Sequence, residues 1–141
     1  MIIRECQEQD CERIVALNSC LGYEYSLEDT KTQLLKLLDC SEHKIFVACI
    51  EDKAVGYIHI NDYDCLYMDS MKNILGLVVD DKYQGQGVGK ALLIKAEEWA
   101  RESGSKGVRL NSAMRRKEAH KFYEKCGYHN RKDQKNYIKI F

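Results

Sequence analysis

At 141 residues the chain has the length of one domain, able to bury about two-thirds of its unfolded surface around its own core. Its 22 basic and 22 acidic side chains cancel, which excludes a global basic footprint for nucleic acid and an acidic solvating tail. No run approaches the ~20 apolar residues of a membrane span, and Met1 leads into IIRE without a basic or apolar leader, so the expectation is a cytoplasmic protein with no membrane partner.

Seven cysteines, at 6, 11, 20, 40, 49, 65 and 126, include no CxxC pair, and their odd number favours reduced thiols, read mostly as small buried hydrophobes. No metal site is expected. Proline is absent and no Gly/Ser-rich stretch interrupts the chain, so residues 1–141 are read as a single domain.

Ile2 to Glu5 reads as a strand. Ile14, Val15, Leu17 and Leu21 then recur at helical spacing after Asp10, which is placed to act as an N-cap. Ser26 with Asp29 three residues on resembles a capping box, and Leu27, Leu34, Leu35, Leu37 and Leu38 give the next segment a helical stripe. Lys44 to Ile50 and Ala54 to Ile60 read as strands joined by a short turn at Glu51, Asp52 and Lys53. A polar segment, Asn61 to Asn73, separates them from the apolar run Ile74 to Val79, expected to be a central strand covered on both faces.

The helix after Gly87 carries Val88, Leu92, Ala96 and Trp99 on one stripe, with Ala91 and Ala100 beside it, and Gly104 marks its end. A short strand, Gly107 to Leu110, completes a βαβ unit. A helix holding Tyr123 and ending at Gly127 follows, then strand-like pieces near Tyr128 and at Tyr137 to Phe141. The last of these could lie at a sheet edge and pair with a second copy as a homodimer.

The richest stretch is Val78 to Leu93, VVDDKYQGQGVGKALL, where a strand passes through a glycine-rich turn into an amphipathic helix. Gly85, Gly87 and Gly89 remove side chains that would block close approach, and the helix start offers free N–H groups and a positive dipole end. An anion would sit over Gln84 to Lys90. A Walker loop is excluded because Ala91 follows Gly89 and Lys90 and position 84 is Gln. A dinucleotide fingerprint is excluded because position 90 is Lys and the next strand holds Val108, Arg109 and Leu110 where an acid is needed.

Gln84, Gly87 and Gly89 match the acyl-CoA signature of the GNAT superfamily of N-acetyltransferases: Gln or Arg, two residues, Gly, one residue, Gly or Ala. A second element, AHKFYEKCGY with Tyr123, lies at the family's distance, and the chain resembles that superfamily well from Ile74 to Tyr128. The resemblance implies a GNAT acyl-CoA N-acyltransferase fold of the α/β (α+β) class, a central mixed sheet flanked by about four helices, splayed between its fourth and fifth strands. It implies acetyl-CoA as donor, its pyrophosphate cradled by Gln84, Gly85, Gln86, Gly87, Val88, Gly89 and Lys90. The backbone of Leu77, Val78 and Val79 would pair with the pantetheine arm, and one N–H would polarise the thioester carbonyl. Asn111 and Arg116 are further cofactor candidates on the same grounds, although Arg115, Arg116 and Lys117 also suit a solvated helix start.

Tyr123 matches the position whose phenol, in many members, protonates the leaving thiolate. Where many relatives carry a strand Glu as general base, this chain has Asn73, Ile74 and Leu75. The base is left open among Asp62, Asp64, Asp69, His59, a water chain and solvent. His120 is read as packing or a local hydrogen bond. Cys126 sits at a helix C-terminus, whose dipole disfavours a thiolate, against an acyl-cysteine route.

The connection holding Tyr23, Glu24 and Tyr25 is the acceptor-binding candidate, since ring faces and a carboxylate suit a cation. The acidic residues at 62, 64 and 69 also point to an amine rather than an anion. The reading is therefore transfer of acetyl to a primary amine of a small molecule, by direct attack in a ternary complex. Alternatives are a protein N-terminal or lysine acetyltransferase and, from another class, a non-catalytic CoA-binding sensor or interaction module.

Overall fold

Alternation in the second strand decides the layout, because Ile45, Val47 and Cys49 point one way while Phe46 and Ala48 point the other, and all five are buried. The sheet must therefore be covered twice. The computed structural model describes residues 1–141. Its elements are β1 (Ile2–Glu5), α1 (Cys11–Cys20), α2 (Leu27–Leu38), β2 (His43–Ile50), β3 (Lys53–Cys65), β4 (Met68–Val79), α3 (Val88–Glu102), β5 (Val108–Leu110) and α4 (Lys117–Lys125). Short 3-10 turns lie at Glu8–Asp10 and Asp81–Tyr83. The five strands run in sequence order across the sheet, antiparallel except for the parallel pair β4 and β5.

Contacts divide the chain into two compact units, residues 1–111 and 112–141. In the first, Ile45, Val47, Cys49 and Ala54 pack with Cys6, Cys11, Ile14 and Leu34 beneath α1 and α2. The opposite face holds Phe46, Ile58, Ile60 and Ile74 against α3, whose Leu92, Leu93 and Ala96 are buried. Each large aliphatic so buried contributes about 1.5–3 kcal/mol. Gly104, at φ 77, follows α3 as expected.

Ser26 caps α2, accepting the Asp29 N–H at 3.0 Å. Asp10 does not cap α1 with its side chain. It is buried, accepts the Gln7 N–H at 2.8 Å and meets both Arg4 guanidinium nitrogens at 2.8 Å. A fork of that charge outcompetes a helix N–H for the same oxygens. Burial alone would push the Asp10 carboxyl up, but Arg4 and the Gln7 N–H hold it below the usual range.

Four further expectations are corrected. The polar segment Asn61 to Asn73 is a continuation of the β3–β4 hairpin, because its polar residues pair across the strands: Asn61 with Asn73, Asp62 with Lys72, Tyr63 with Met71. Lys72 is buried yet satisfied, bonded to Asp62 and lying 4.4 Å from the Trp99 ring centroid. Next, Ile74 to Val79 is not covered on both faces, since Leu75 is 52% exposed and lies at a bulge where the register steps from Gly76 to Ile74.

Third, the residues after Gly127 form no strand near Tyr128 or at Tyr137 to Phe141, and Tyr137, Ile138, Ile140 and Phe141 are exposed. An alternating segment becomes a strand only where an edge accepts it. The cysteines are all free, but only Cys6, Cys11 and Cys49 are buried, so the expectation that most would be core hydrophobes fails for Cys20, Cys40, Cys65 and Cys126. No helix is long and apolar enough to cross a membrane.

Candidate active site

The glycine turn is held from below. Asp80 donates its N–H to the Val55 carbonyl at 2.8 Å, accepts the Lys82 N–H and pairs with Arg13 at 3.2 Å. The Lys82 N–H, with help from Arg13, keeps the Asp80 carboxyl below its usual range. Gln84 donates to the Val79 carbonyl and to Asp81, and Gln86 donates to the Lys82 carbonyl. These side chains fold back on the turn and leave its outer surface to backbone.

Gly85 and Gly87 adopt φ 75 and 83, the left-handed region that favours glycine. Gly87 precedes α3 with no side-chain cap, and no acid stands in the first turn. The helix ladder begins with the Ala91 N–H donating to the Gly87 carbonyl at 3.0 Å. The N–H groups of Val88, Gly89 and Lys90 thus lie outside the helix's own ladder, at its positive end. The predicted residues Gln84 to Lys90 run through a turn at 84–87 into the first residues of α3, a geometry suited to an anion.

Beside it lies an open strand edge. β5 pairs with β4 only at Lys72, Asn73 and Ile74, so from Leu75 to Val79 the outer edge of β4 has no strand partner. Leu77, Val78 and Val79 are on that free stretch. Gly56, across from Val79 on β3, allows the close approach that sets this geometry. A Cβ there would stand 2.8 Å from the Val78 carbonyl oxygen and 3.3 Å from Leu92. We expect Gly56→Ala to destabilise the fold by about 1–3 kcal/mol and to raise the KM for the acyl donor by displacing β4; thermal melts and donor saturation curves check both.

The sheet face shared with α1 and α2 carries a polar row. The Tyr57 hydroxyl donates to Asn18 on α1 at 2.5 Å, and burial, with Tyr23 nearby, pushes the phenol up to about 12. His43 Nδ1 and His59 Nε2 are 2.9 Å apart. Asn73 donates to Asn61, and Arg109 donates to Asn73 and to Asn111. Asn111 is thus engaged by Arg109. Tyr23, Glu24 and Tyr25 are exposed between α1 and α2, and of these Tyr23 lies close to Tyr57.

Burial first, then the charge of His43, pulls the His59 imidazole down from 6.5 to about 4. The folded ring binds its proton less tightly than the unfolded one. The stability it confers is therefore complete above about pH 6.5 and is lost as pH falls toward about 4. Urea midpoints between pH 7 and pH 4.5 should decline, and His59→Gln should flatten that slope. Asp10 adds its own loss only below the usual carboxylate range.

Among the carboxylates considered as base, Asp62 is neutralised by Lys72 and Asp64 accepts the Ser70 hydroxyl. Sequence reasoning missed the row formed by His43, Asn61, Asn73 and Arg109, whose members lie on four strands. The available signal was the period-2 placement of His59, Asn61 and Tyr63. A depression of about 410 Å³, lined by Ile3, Arg4, Lys44, Phe46, Lys95 and Trp99, lies at the β1 edge, away from the glycine turn.

Within residues 112–141, Tyr123 is half-buried on α4 and meets the rings of Phe122 and Tyr128 edge-on at 5.2 and 5.8 Å. Burial pushes its phenol above the usual tyrosine value, Arg116 opposes, and Cys126 adds to the rise. His120 Nε2 lies 2.9 Å from the Ala113 carbonyl oxygen, the local bond expected of it. Arg115, Arg116 and Lys117 are exposed at the helix start.

An uncapped glycine turn with free N–H groups at a helix start thus lies next to a strand edge whose backbone groups are unpaired. The model of the acetyltransferase (GNAT) family matches residues 11–128. Aminoglycoside N(6')-acetyltransferase type 1 of Stenotrophomonas maltophilia is 30% identical over 113 residues, 77% of this chain and 74% of that protein. Aminoalkylphosphonate N-acetyltransferase of Salmonella typhimurium strain LT2 is 33% identical over 93 residues, 65% of this chain and 60% of that protein. Among solved structures, AAC(6')-Iy with a CoA-containing bisubstrate analogue superposes with a TM-score of 0.88 at 16% identity, covering 99% and 98% of the two chains. The chain belongs to the GNAT acetyltransferase family and is by class an acetyl-CoA-dependent N-acetyltransferase.

Proposed function

We propose that this chain transfers the acetyl group of acetyl-CoA to a primary amine of a small molecule by direct attack in a ternary complex. The observation that carries the reading is the uncapped turn from Gln84 to Lys90 opening beside the unpaired edge of β4. The turn would hold the donor's pyrophosphate, and the backbone of Leu77, Val78 and Val79 would take its amide-bearing arm. One N–H of that edge would bind the thioester oxygen, a donor of the kind that lowers a barrier by roughly 3–4 kcal/mol.

The neutral amine attacks the thioester carbon and an oxyanion forms; its collapse to the amide expels the thiolate, to whose sulfur Tyr123 donates a hydrogen bond, and the proton shed by the attacking nitrogen passes to solvent. β4 offers no carboxylate from Asn73 to Val79, and His59, with its depressed pKa, is a weak base. The ammonium proton therefore leaves to solvent before attack. The family match runs across Asn111 and Ser112, which supports reading residues 1–141 as one catalytic domain. The small-molecule acceptors in the names of both relatives support that acceptor class. Seven free cysteines fit a reducing, cytoplasmic setting.

The test is free-thiol release from acetyl-CoA at pH 7 to 9 against polyamines, amino sugars, amino acids and short peptides. Saturable release with a small amine supports the proposal. Release only with peptides would transfer it to a protein acceptor, and donor binding without release would favour a sensor.

A further inference from the structure

Arg109 is the exception among the half-buried arginines of residues 1–111. Arg4 pairs with Asp10 and Arg13 with Asp80, but Arg109 has no carboxylate partner. Its Nη1 donates to Asn73 Oδ1 at 2.5 Å, its Nη2 donates to Asn111 Oδ1 at 3.0 Å, and its Cζ lies 4.3 Å from the Tyr63 ring centroid. Every one of these partners is neutral. On the hairpin, Asp62 is engaged by Lys72 and Asp64 by Ser70. A guanidinium has five N–H donors in a planar fork, so donors remain after both amide bonds, and the side chain is already immobilised by ring and amides.

We propose that Arg109 binds an oxyanion on the acceptor, so that the molecule acetylated is an amine that also carries an acidic group. This deepens the transferase reading above and rests on it. β5 runs parallel to β4 with Arg109 opposite Asn73. The guanidinium bridges Asn73 and Asn111 and stacks on Tyr63 at the β4–β5 junction, next to where β4 loses its strand partner at Leu75. A planar fork meeting a carboxylate or phosphonate bidentately is the pairing for which arginine is suited and lysine is not.

The experiment measures thiol release with matched acceptors: β-alanine against propylamine, 2-aminoethylphosphonate against ethylamine, and a neutral amino sugar alongside. Arg109→Gln and Arg109→Lys are compared with the parent, each checked by circular dichroism. The parent should favour the acidic member of each pair by about tenfold or more in kcat/KM. Arg109→Gln should collapse that ratio, mainly through the KM of the acidic acceptor, and Arg109→Lys should keep part of it.

Equal or better use of the neutral members, or a loss in Arg109→Gln that falls equally on both, would overturn the proposal and leave Arg109 a fastener of the β4–β5 junction. If no amine elicits release although CoA binds, the transferase reading fails. Calorimetric titration of 2-aminoethylphosphonate then judges Arg109 separately: binding lost in Arg109→Gln upholds the anion site, and binding absent or unchanged refutes it.

Discussion

Gly87→Asp is expected to raise the KM for acetyl-CoA by about tenfold to a hundredfold while the protein stays folded. Gly87 stands immediately before α3 at φ 83, and a Cβ built there meets nothing within 4 Å. The new side chain therefore costs no steric clash, only left-handed strain of about 1–2 kcal/mol, which Asp tolerates better than most residues. Its carboxylate, however, enters the space where a pyrophosphate would lie. Two like charges about 5 Å apart repel by roughly 3 kcal/mol at an effective dielectric of 20. Gly87→Asn carries the same strain and nearly the same shape without the charge. The Asp and Asn variants should melt alike, differ in donor affinity by about that tenfold or more, and converge as salt screens the repulsion. Donor saturation kinetics and calorimetry at two ionic strengths decide it. Equal affinities for the Asp and Asn variants would move the phosphates away from this turn.

What could be seen in the letters alone follows from how local each determinant is. The glycine turn was legible because its requirements, positive φ and bare backbone before a helix, are met within seven consecutive residues. The stripe of α3, and Ser26 as the cap of α2, are local for the same reason, whereas of the leucines read as the α2 stripe only Leu34 is buried, Leu27, Leu35 and Leu38 being exposed. The β3–β4 hairpin beyond Ile60 was not legible, because Asp62 and Lys72 look like loop residues until they face each other. Asp10 was assigned to the wrong donor because Arg4, which claims it, lies on a different element. Tyr137 to Phe141 failed in the opposite sense: strand propensity without a pairing edge leaves apolar side chains exposed.

The candidate site divides along the same line. Gln84 to Lys90 was readable as a bare glycine turn entering a helix, whose phosphate role is proposed above, and Tyr123 acquired a role only through resemblance to a family. The polar row was invisible because His43, His59, Asn73 and Arg109 are far apart in sequence and meet only through sheet register. That row also bears on one inference from composition. Counting Asp62, Asp64 and Asp69 favoured an amine over an anionic acceptor, yet Lys72 and Ser70 engage two of them, whereas Arg109 has no carboxylate partner.

Tyr123→Phe should lower kcat by about tenfold to a hundredfold with little change in either KM, less than the roughly 10²–10⁴-fold of a typical general acid. The reason lies in the two proton affinities. Burial raises the phenol above its ordinary value near 10, whereas a thiol titrates near 8.5. Full transfer from phenol to thiolate is uphill, so the phenol helps chiefly by hydrogen-bonding the sulfur as charge builds, and the thiolate can leave without it. The same upward shift fixes the pH dependence: the phenol stays protonated throughout pH 7 to 9, so the parent's rate should climb with pH as the amine loses its proton and show no fall from tyrosine ionisation. Tyr123→Phe should keep that climbing limb at a lower height. An unchanged kcat would remove the phenol from the chemistry. A variant that melts early and loses all activity would make the residue a packing element of α4, held by Phe122 and Tyr128.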